Sequence, residues 1–331
     1  MFNIDRDTFS ISLSFALLAF LVAGCEAPLD LDAVEAQQAK PVQRADLFQA
    51  AARHLDQVVV VGAMGVVVQS SDSGTNWQRN RLPGNPFLLD IVACPNGNFH
   101  ALEKTDGIWT LQAGGEWRRQ ALPEATEPQA MTCDQANVIW VTGGFSTILH
   151  STDAGASWTD WSLDEDLFLT SIQFVDATHG FVTGEFGTVL VSDDSGASWQ
   201  PATALPDSFY PQSAHLSSPT TGWVIGLDGM IWTTDTGGMS WQLSDSGISS
   251  PLYGIAGSDK HLMAVGDNTT ILYHHSGDAS WHRLDTSGRQ RTYLRAAASL
   301  GDGDFVVAGG GALFTVTLPG THTPATQGGA R

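Results

Sequence analysis

Basic charge is scarce in this 331-residue sequence: fifteen Lys and Arg stand against thirty-five Asp and Glu, a formal net charge of −20. That balance argues against nucleic acid and anionic membrane surfaces as partners. Cysteine is scarce too, with three residues, and no Cys-x-x-Cys or His pair accompanies them, so no metal site is expected. There is no Gly-x-x-x-x-Gly-Lys loop, no Gly-x-Ser-x-Gly elbow and no Asp-rich calcium loop, which leaves no expected cofactor. No helical period of apolar residues runs through the body of the chain. The apolar run from Phe9 to Val22 is about 14 residues, too short to span a bilayer comfortably and the right length for a signal h-region.

What the chain does have is a repeat. Ser-x-Asp-x-Gly-x-x-Trp occurs intact at Ser70, Asp72, Gly74, Trp77; at Ser151, Asp153, Gly155, Trp158; and at Ser192, Asp194, Gly196, Trp199. A fourth copy reads Thr233, Asp235, Gly237, Trp241 with one extra residue, and two decayed copies end at Trp117 and Trp281. The tryptophans fall at 77, 117, 158, 199, 241 and 281. A glycine turn and an apolar strand precede each of them, as in Gly143 to Ser151 or Gly184 to Ser192, and a seventh such unit runs from Gly309 to Thr317.

Each repeat holds four short apolar or β-branched runs separated by Gly, Asp, Asn and Ser, which is strand and turn chemistry. Four strands at a period in the low forties predict an all-β fold, a seven-bladed β-propeller of four-stranded antiparallel blades. The Asp and Ser side chains are expected to bond backbone N–H groups within the turn, while Gly supplies a positive φ. The tryptophans are expected to pack between neighbouring blades. Asp72, Asp153, Asp194 and Asp235, with Trp77, Trp158, Trp199 and Trp241, are therefore read as structural.

The expected organisation is a signal segment over 1–24, a tether over 25–44, the propeller over 45–318 and a flexible tail over 319–331. Leu21-Val22-Ala23-Gly24-Cys25 resembles a bacterial lipobox, which implies lipidation of Cys25 and a lipid anchor in the cell envelope, at the periplasmic face of the outer membrane. The stretch Val34 to Val42 is expected to supply the missing strand of the seventh blade. Cys94 and Cys133 end the inner strands of adjacent blades, and in an oxidising compartment they could pair.

The unit Leu169 to Trp199, "Leu-x-x-Ile-x-Phe … Gly-Phe-Val-x-Gly-x-x-Gly-Thr-Val-Leu-x-Ser-x-Asp-x-Gly-x-x-Trp", resembles the repeat of the photosystem II assembly and stability factor family, a branch of the BNR (Asp-box) propellers. A similar unit runs from Thr221 to Trp241. The resemblance implies a non-catalytic, monomeric propeller that holds a membrane-protein subunit or envelope complex during assembly, touching the membrane only through its anchor.

Asp-boxes also decorate sialidases and other glycosidases, so a carbohydrate-active or glycan-binding propeller is the alternative. A sialidase-type site needs clustered arginines, a tyrosine nucleophile with a glutamate partner, and an acid. Only four tyrosines are present, and no carboxylate pair recurs at matching inner-strand positions. His274-His275 closes a strand in a decayed box, and the sequence offers no partner for a metal role there.

For binding, the repeats are compared where they differ. The slot just before each inner strand holds Phe87, Phe168, Tyr210 and Tyr293 in four blades, on one rim. Arg283, Arg289, Arg291 and Arg295 cluster at the junction of blades six and seven. Aromatic residues and arginine are what protein interfaces enrich. The expected partner-contact patch is Tyr293, Arg291 and Arg295, with Tyr253, Phe168 and Tyr210 around the same mouth.

Overall fold

The computed structural model describes residues 31–112 and 115–321. The expected signal segment over 1–24, the expected lipidation site Cys25 and residues 322–331 lie outside the described residues. The chain divides into two units at Lys40/Pro41. In the first, Asp32–Gln38 is an α-helix. Ala, Glu and Gln are good helix formers, and Asp32 and Glu35 sit in the first turn, where the helix dipole favours negative charge.

The closing strand expected over Val34 to Val42 does not form: the stretch is helix up to Gln38 and turn and bend from Ala39 to Val42. Val34 is exposed, and the segment lacks the alternation of apolar residues that a strand needs to bury one face.

The second unit is a seven-bladed propeller. Six sheets have four antiparallel strands in sequence order and the seventh, Leu294–Gly301, Asp304–Gly309 and Ala312–Thr317, has three among the described residues. Blade 4 shows the pattern, with Leu169–Phe174 innermost, then Gly180–Gly184, Val189–Ser192 and Gln200–Pro201. The ring closes by direct packing. Phe48, Val58 and Val60 of the first blade share one apolar cluster with Ala296, Val306 and Ala308 of the last. A lone antiparallel bridge pairs Leu47 with Gly310, and Gly311 N donates to the Asp46 carbonyl at 2.7 Å.

The intact Asp-boxes are three copies of one hydrogen-bond set. In the first, Ser70 Oγ donates to Asp72 Oδ1 at 2.8 Å and accepts from Gly74 N at 2.8 Å. Asp72 Oδ1 then accepts from Asn76 N at 2.8 Å and Oδ2 from Asn76 Nδ2 at 2.7 Å. These bonds stabilise the charged carboxylate, so Asp72 and Asp153 are each held down to about 2.

The fourth box lies in a different register from the one expected. Gly238 N donates to Thr234 Oγ1 at 2.9 Å and Ser240 N to Thr236 Oγ1 at 2.9 Å. Thr234, Thr236, Gly238 and Trp241 thus reproduce the standard spacing with no extra residue, and Thr236 stands in the aspartate's slot. Asp235 is exposed and takes no part in these bonds.

Every repeat tryptophan joins an apolar cluster shared with the preceding blade, or, for Trp77, with the last one. Trp199, 2% exposed, meets Trp140 of blade 3 edge to face at 6.1 Å. Cys94 and Cys133 form a disulfide between blades 2 and 3, with Cα atoms 5.2 Å apart.

Candidate functional site

Strand register decides what faces the channel. In six of the seven blades the innermost strand skips one residue in its pairing with the next strand, a β-bulge, just after its first buried residue. The skipped residues are Gln49, Leu89, Thr170, Gln212, Tyr253 and Arg295, and Gln129 holds the equivalent place in blade 3. A bulge re-aims a side chain. All seven line the central channel, which makes a ring with one member per blade. Four of the seven are amides or a hydroxyl, Leu89 is apolar, Tyr253 is a phenol, and Arg295 carries the ring's only charge.

Asp90, next to the ring residue of blade 2, lines the channel as well. It accepts from Ile91 N at 2.8 Å and from Met131 N of blade 3 at 2.9 Å. Burial raises its pKa to about 6, against the pull of those two N–H groups and of Arg295.

The expected contact patch is thus brought together only in part. Tyr253 and Arg295 face the channel from adjacent blades. Phe168, Tyr210 and Tyr293 stand two residues before the ring, on the rim at the same end. Burial raises the Tyr210 hydroxyl, with Glu185 adding to it and Arg295 opposing, and burial raises Tyr293 while Arg295 again opposes. Arg295 therefore acts on both rim tyrosines. Gln49 Nε2 donates to the Tyr293 hydroxyl at 3.5 Å across the closing seam. Arg291 lies apart from the channel, lining a cleft with Arg283 and Arg289 at the junction of blades 6 and 7. None of these four arginines is in an ion pair among the described residues.

Sequence reasoning missed a second feature of this end. The first strand of a blade begins where its second ends, as Phe48 opposite Gly62 shows, so the turn after the second strand rises beside the channel mouth. At one slot of that turn stand Met64, Phe145, Phe186, Asp228 and Asn268, with φ of 58°, 50°, 57°, 56° and 52°. Asp and Asn adopt this left-handed conformation readily, whereas Met and Phe are strained in it. Met64, Phe145 and Phe186 are nevertheless 56%, 56% and 66% exposed. With exposed Phe87, Tyr210 and Leu227 they form an apolar arc over blades 1 to 5, and the arginine cleft occupies the remaining sector. The legible signal was a bulky apolar residue inside a glycine turn, as in Gly184-Glu185-Phe186-Gly187.

The glutamates inside the propeller are committed elsewhere where their partners are seen. Glu103 accepts from Arg119 Nε at 2.7 Å, Thr105 Oγ1 at 2.7 Å and Trp109 Nε1 at 3.0 Å. Glu185 Oε2 accepts from Phe168 N at 2.9 Å.

The family model for the photosynthesis system II assembly factor YCF48 matches residues 157–323, just over half of the chain. The chain belongs to that family. No curated protein matches the sequence. Among solved structures, YCF48 from Cyanidioschyzon merolae is 15% identical with a TM-score of 0.67, covering 83% of this chain and 96% of its own. A structure described as YCF48 bound to D1 peptide is 12% identical with a TM-score of 0.69, covering 83% and 92%. Virginiamycin B lyase from Staphylococcus aureus is 12% identical with a TM-score of 0.71, covering 81% and 93%. At these identities the likeness is one of fold, and that fold carries both an assembly factor and an enzyme.

Proposed function

We propose that this chain is a non-catalytic scaffold that assists assembly or stability of a membrane-protein complex in the cell envelope. It holds an extra-membrane segment of one subunit across the channel mouth. The observation that carries this reading is the strained, exposed arc of Met64, Phe145 and Phe186 on the same end as Arg295 and the rim tyrosines. Exposed aromatics in costly backbone conformations persist where they are used. Family membership supports the scaffold role, and the relative bound to D1 peptide supports a membrane-protein segment as the client.

Charge refines the expected client. Arg283, Arg291 and Arg295, outside any ion pair among the described residues, and Arg289, stacked on the Phe314 ring at 3.9 Å, place cations beside the apolar arc, so the segment combines apolar side chains with carboxylates. A lipid on Cys25 would hold the propeller near such a client. Labelling with a fatty-acid probe, lost in Cys25→Ser, checks that anchor.

A glycosidase reading has less to stand on. Among the described residues Asp90 is the only carboxylate on the channel lining, and two backbone N–H groups already occupy its oxygens, whereas glycoside hydrolysis uses two carboxylates. Pull-down from envelope membranes with the intact chain and with the Arg291→Glu, Arg295→Glu double variant tests the scaffold role. Loss of a co-purifying membrane protein from the variant is expected, and an unchanged partner set would contradict it.

A further inference from the structure

The end of the propeller opposite the channel mouth holds a cross-strand histidine pair. His261 opens the second strand of blade 6 and His275 closes the third, and the two are direct register partners. Their Nδ1 atoms lie 2.8 Å apart, with ring planes at 88°. Neighbouring His274 and His282 turn to Asp278 instead.

The tautomers follow from the partners. His275 Nε2 is 3.0 Å from the Pro319 carbonyl, which can only accept, so Nε2 carries the hydrogen and Nδ1 of the neutral ring carries the lone pair. His261 must then donate from its own Nδ1. The two Nδ1 atoms thus face each other with a single proton between them.

We propose that this pair is a copper(II)-type divalent metal site, with His261 and His275 binding one ion through their two Nδ1 atoms. Two observations beyond the pairing favour a metal. The first is the bite. Two nitrogens at cis positions of a square-planar ion, with bonds of about 2.0 Å, lie about 2.8 Å apart, whereas a tetrahedral ion at about 2.0–2.1 Å needs about 3.3 Å. The observed 2.8 Å matches the square-planar spacing, so the strands can stay in place while the two rings turn until both lone pairs meet about 1.4 Å off the N–N line. The second is the outer contact. A metal-ligating histidine commonly donates its other ring N–H to a backbone carbonyl, which fixes tautomer and ring orientation, and His275 already does so to Pro319.

On binding, the proton between the rings moves from His261 Nδ1 to its Nε2, and both Nδ1 lone pairs are donated to the ion. Among the described residues no group of three or more His, Cys, Asp or Glu comes together as a ligand set, so water or an exogenous ligand completes the shell. Nickel(II) and zinc(II) are expected to bind more weakly than copper(II), following ligand-field order and the bite.

Titration of the full chain with copper(II), read by calorimetry and by electron paramagnetic resonance, tests the site. One saturable ion per chain is expected, with a tetragonal signal split by two imidazole nitrogens. His261→Gln and His275→Gln should each weaken binding by about tenfold or more, and His179→Gln, a change to an exposed histidine paired with Asp176, should not. Nitrogen splitting changed by ¹⁵N-histidine labelling of the unmutated chain shows that imidazoles ligate, and the same splitting kept in His282→Gln assigns it to the pair even where a pair variant folds poorly. No saturation below about 1 mM, or affinity in both pair variants unchanged from that of the parent chain, would overturn the proposal.

Discussion

Arg295 and Tyr253 occupy the same bulge in adjacent blades, so the guanidinium and the phenol enter the channel side by side. Five other blades place Gln, Thr or Leu at that position, and this asymmetry gives an otherwise repetitive ring a preferred sector. The apolar turn tips break the symmetry in the complementary sense, over blades 1 to 5.

The strained tips yield a prediction in which stability and binding move in opposite directions. Asn is at home at φ near 50°, so Phe145→Asn and Phe186→Asn should each stabilise the fold by about 0.5–1 kcal/mol while weakening client capture. Chemical denaturation and pull-down of the same variants check the pair of effects. A loss of stability in both variants would mean that the rings pack structurally.

The revised box register separates two aspartates that look alike in sequence. Asp194→Ala removes the acceptor of Ser198 N and of two hydroxyls, and should lower the urea midpoint measurably. Asp235→Ala should fall within about 0.5 kcal/mol of the parent. Urea midpoints for the two variants measure the difference.

The Cys94–Cys133 disulfide ties neighbouring blades across 39 positions of sequence. By loop-closure entropy it contributes about 2–4 kcal/mol, so the Cys94→Ala, Cys133→Ala double variant should melt several degrees lower. Mass spectrometry with and without reductant confirms the bond itself.

Acid should destabilise the propeller in two stages. Burial holds His100 and His215 down to about 4, so each binds a proton more weakly folded than unfolded. Stability should therefore fall as pH drops from about 6.5 toward 4, by at most about 1.4 kcal/mol per unit for each histidine. Asp90, raised to about 6, works the other way over the same range, one group against two. Below about pH 4 the Asp-box carboxylates, held near 2, lose their contribution as they take up protons. Unfolding free energies at intervals from pH 7 to 3 trace both stages, and Asp90→Asn should steepen the first.

Much of the fold was legible because each blade spends the same residues on the same turn. Ser70, Asp72, Gly74 and Trp77 announce a local hydrogen-bond set, and repetition turns it into a blade count. Where the set was rewritten in threonines, at Thr234 and Thr236, Asp235 drew the register one residue astray. The closing strand failed for a related reason: Val34 and Val42 suggested a strand, but the residues between them favour helix. Pairing of Cys94 with Cys133 depends on a distance between blades, which spacing along the chain does not contain. At the site, rim aromatics and arginines were visible as repeat differences. The bulge ring was hidden because a skipped residue changes no sequence period, and His261 was invisible as a partner for His275 because only strand register brings them together.

The central claim is that the arc and Arg295 hold one segment of a membrane protein. Photo-crosslinkers placed singly at Phe186, Phe145 and Arg291, and at exposed Leu55 on the opposite end, test it most directly in native membranes. One membrane-protein adduct common to the first three positions is expected, with crosslinked peptides from a single extra-membrane segment and none from Leu55. Adducts at Leu55 alone, or no membrane protein captured from Phe186, Phe145 or Arg291, would contradict it.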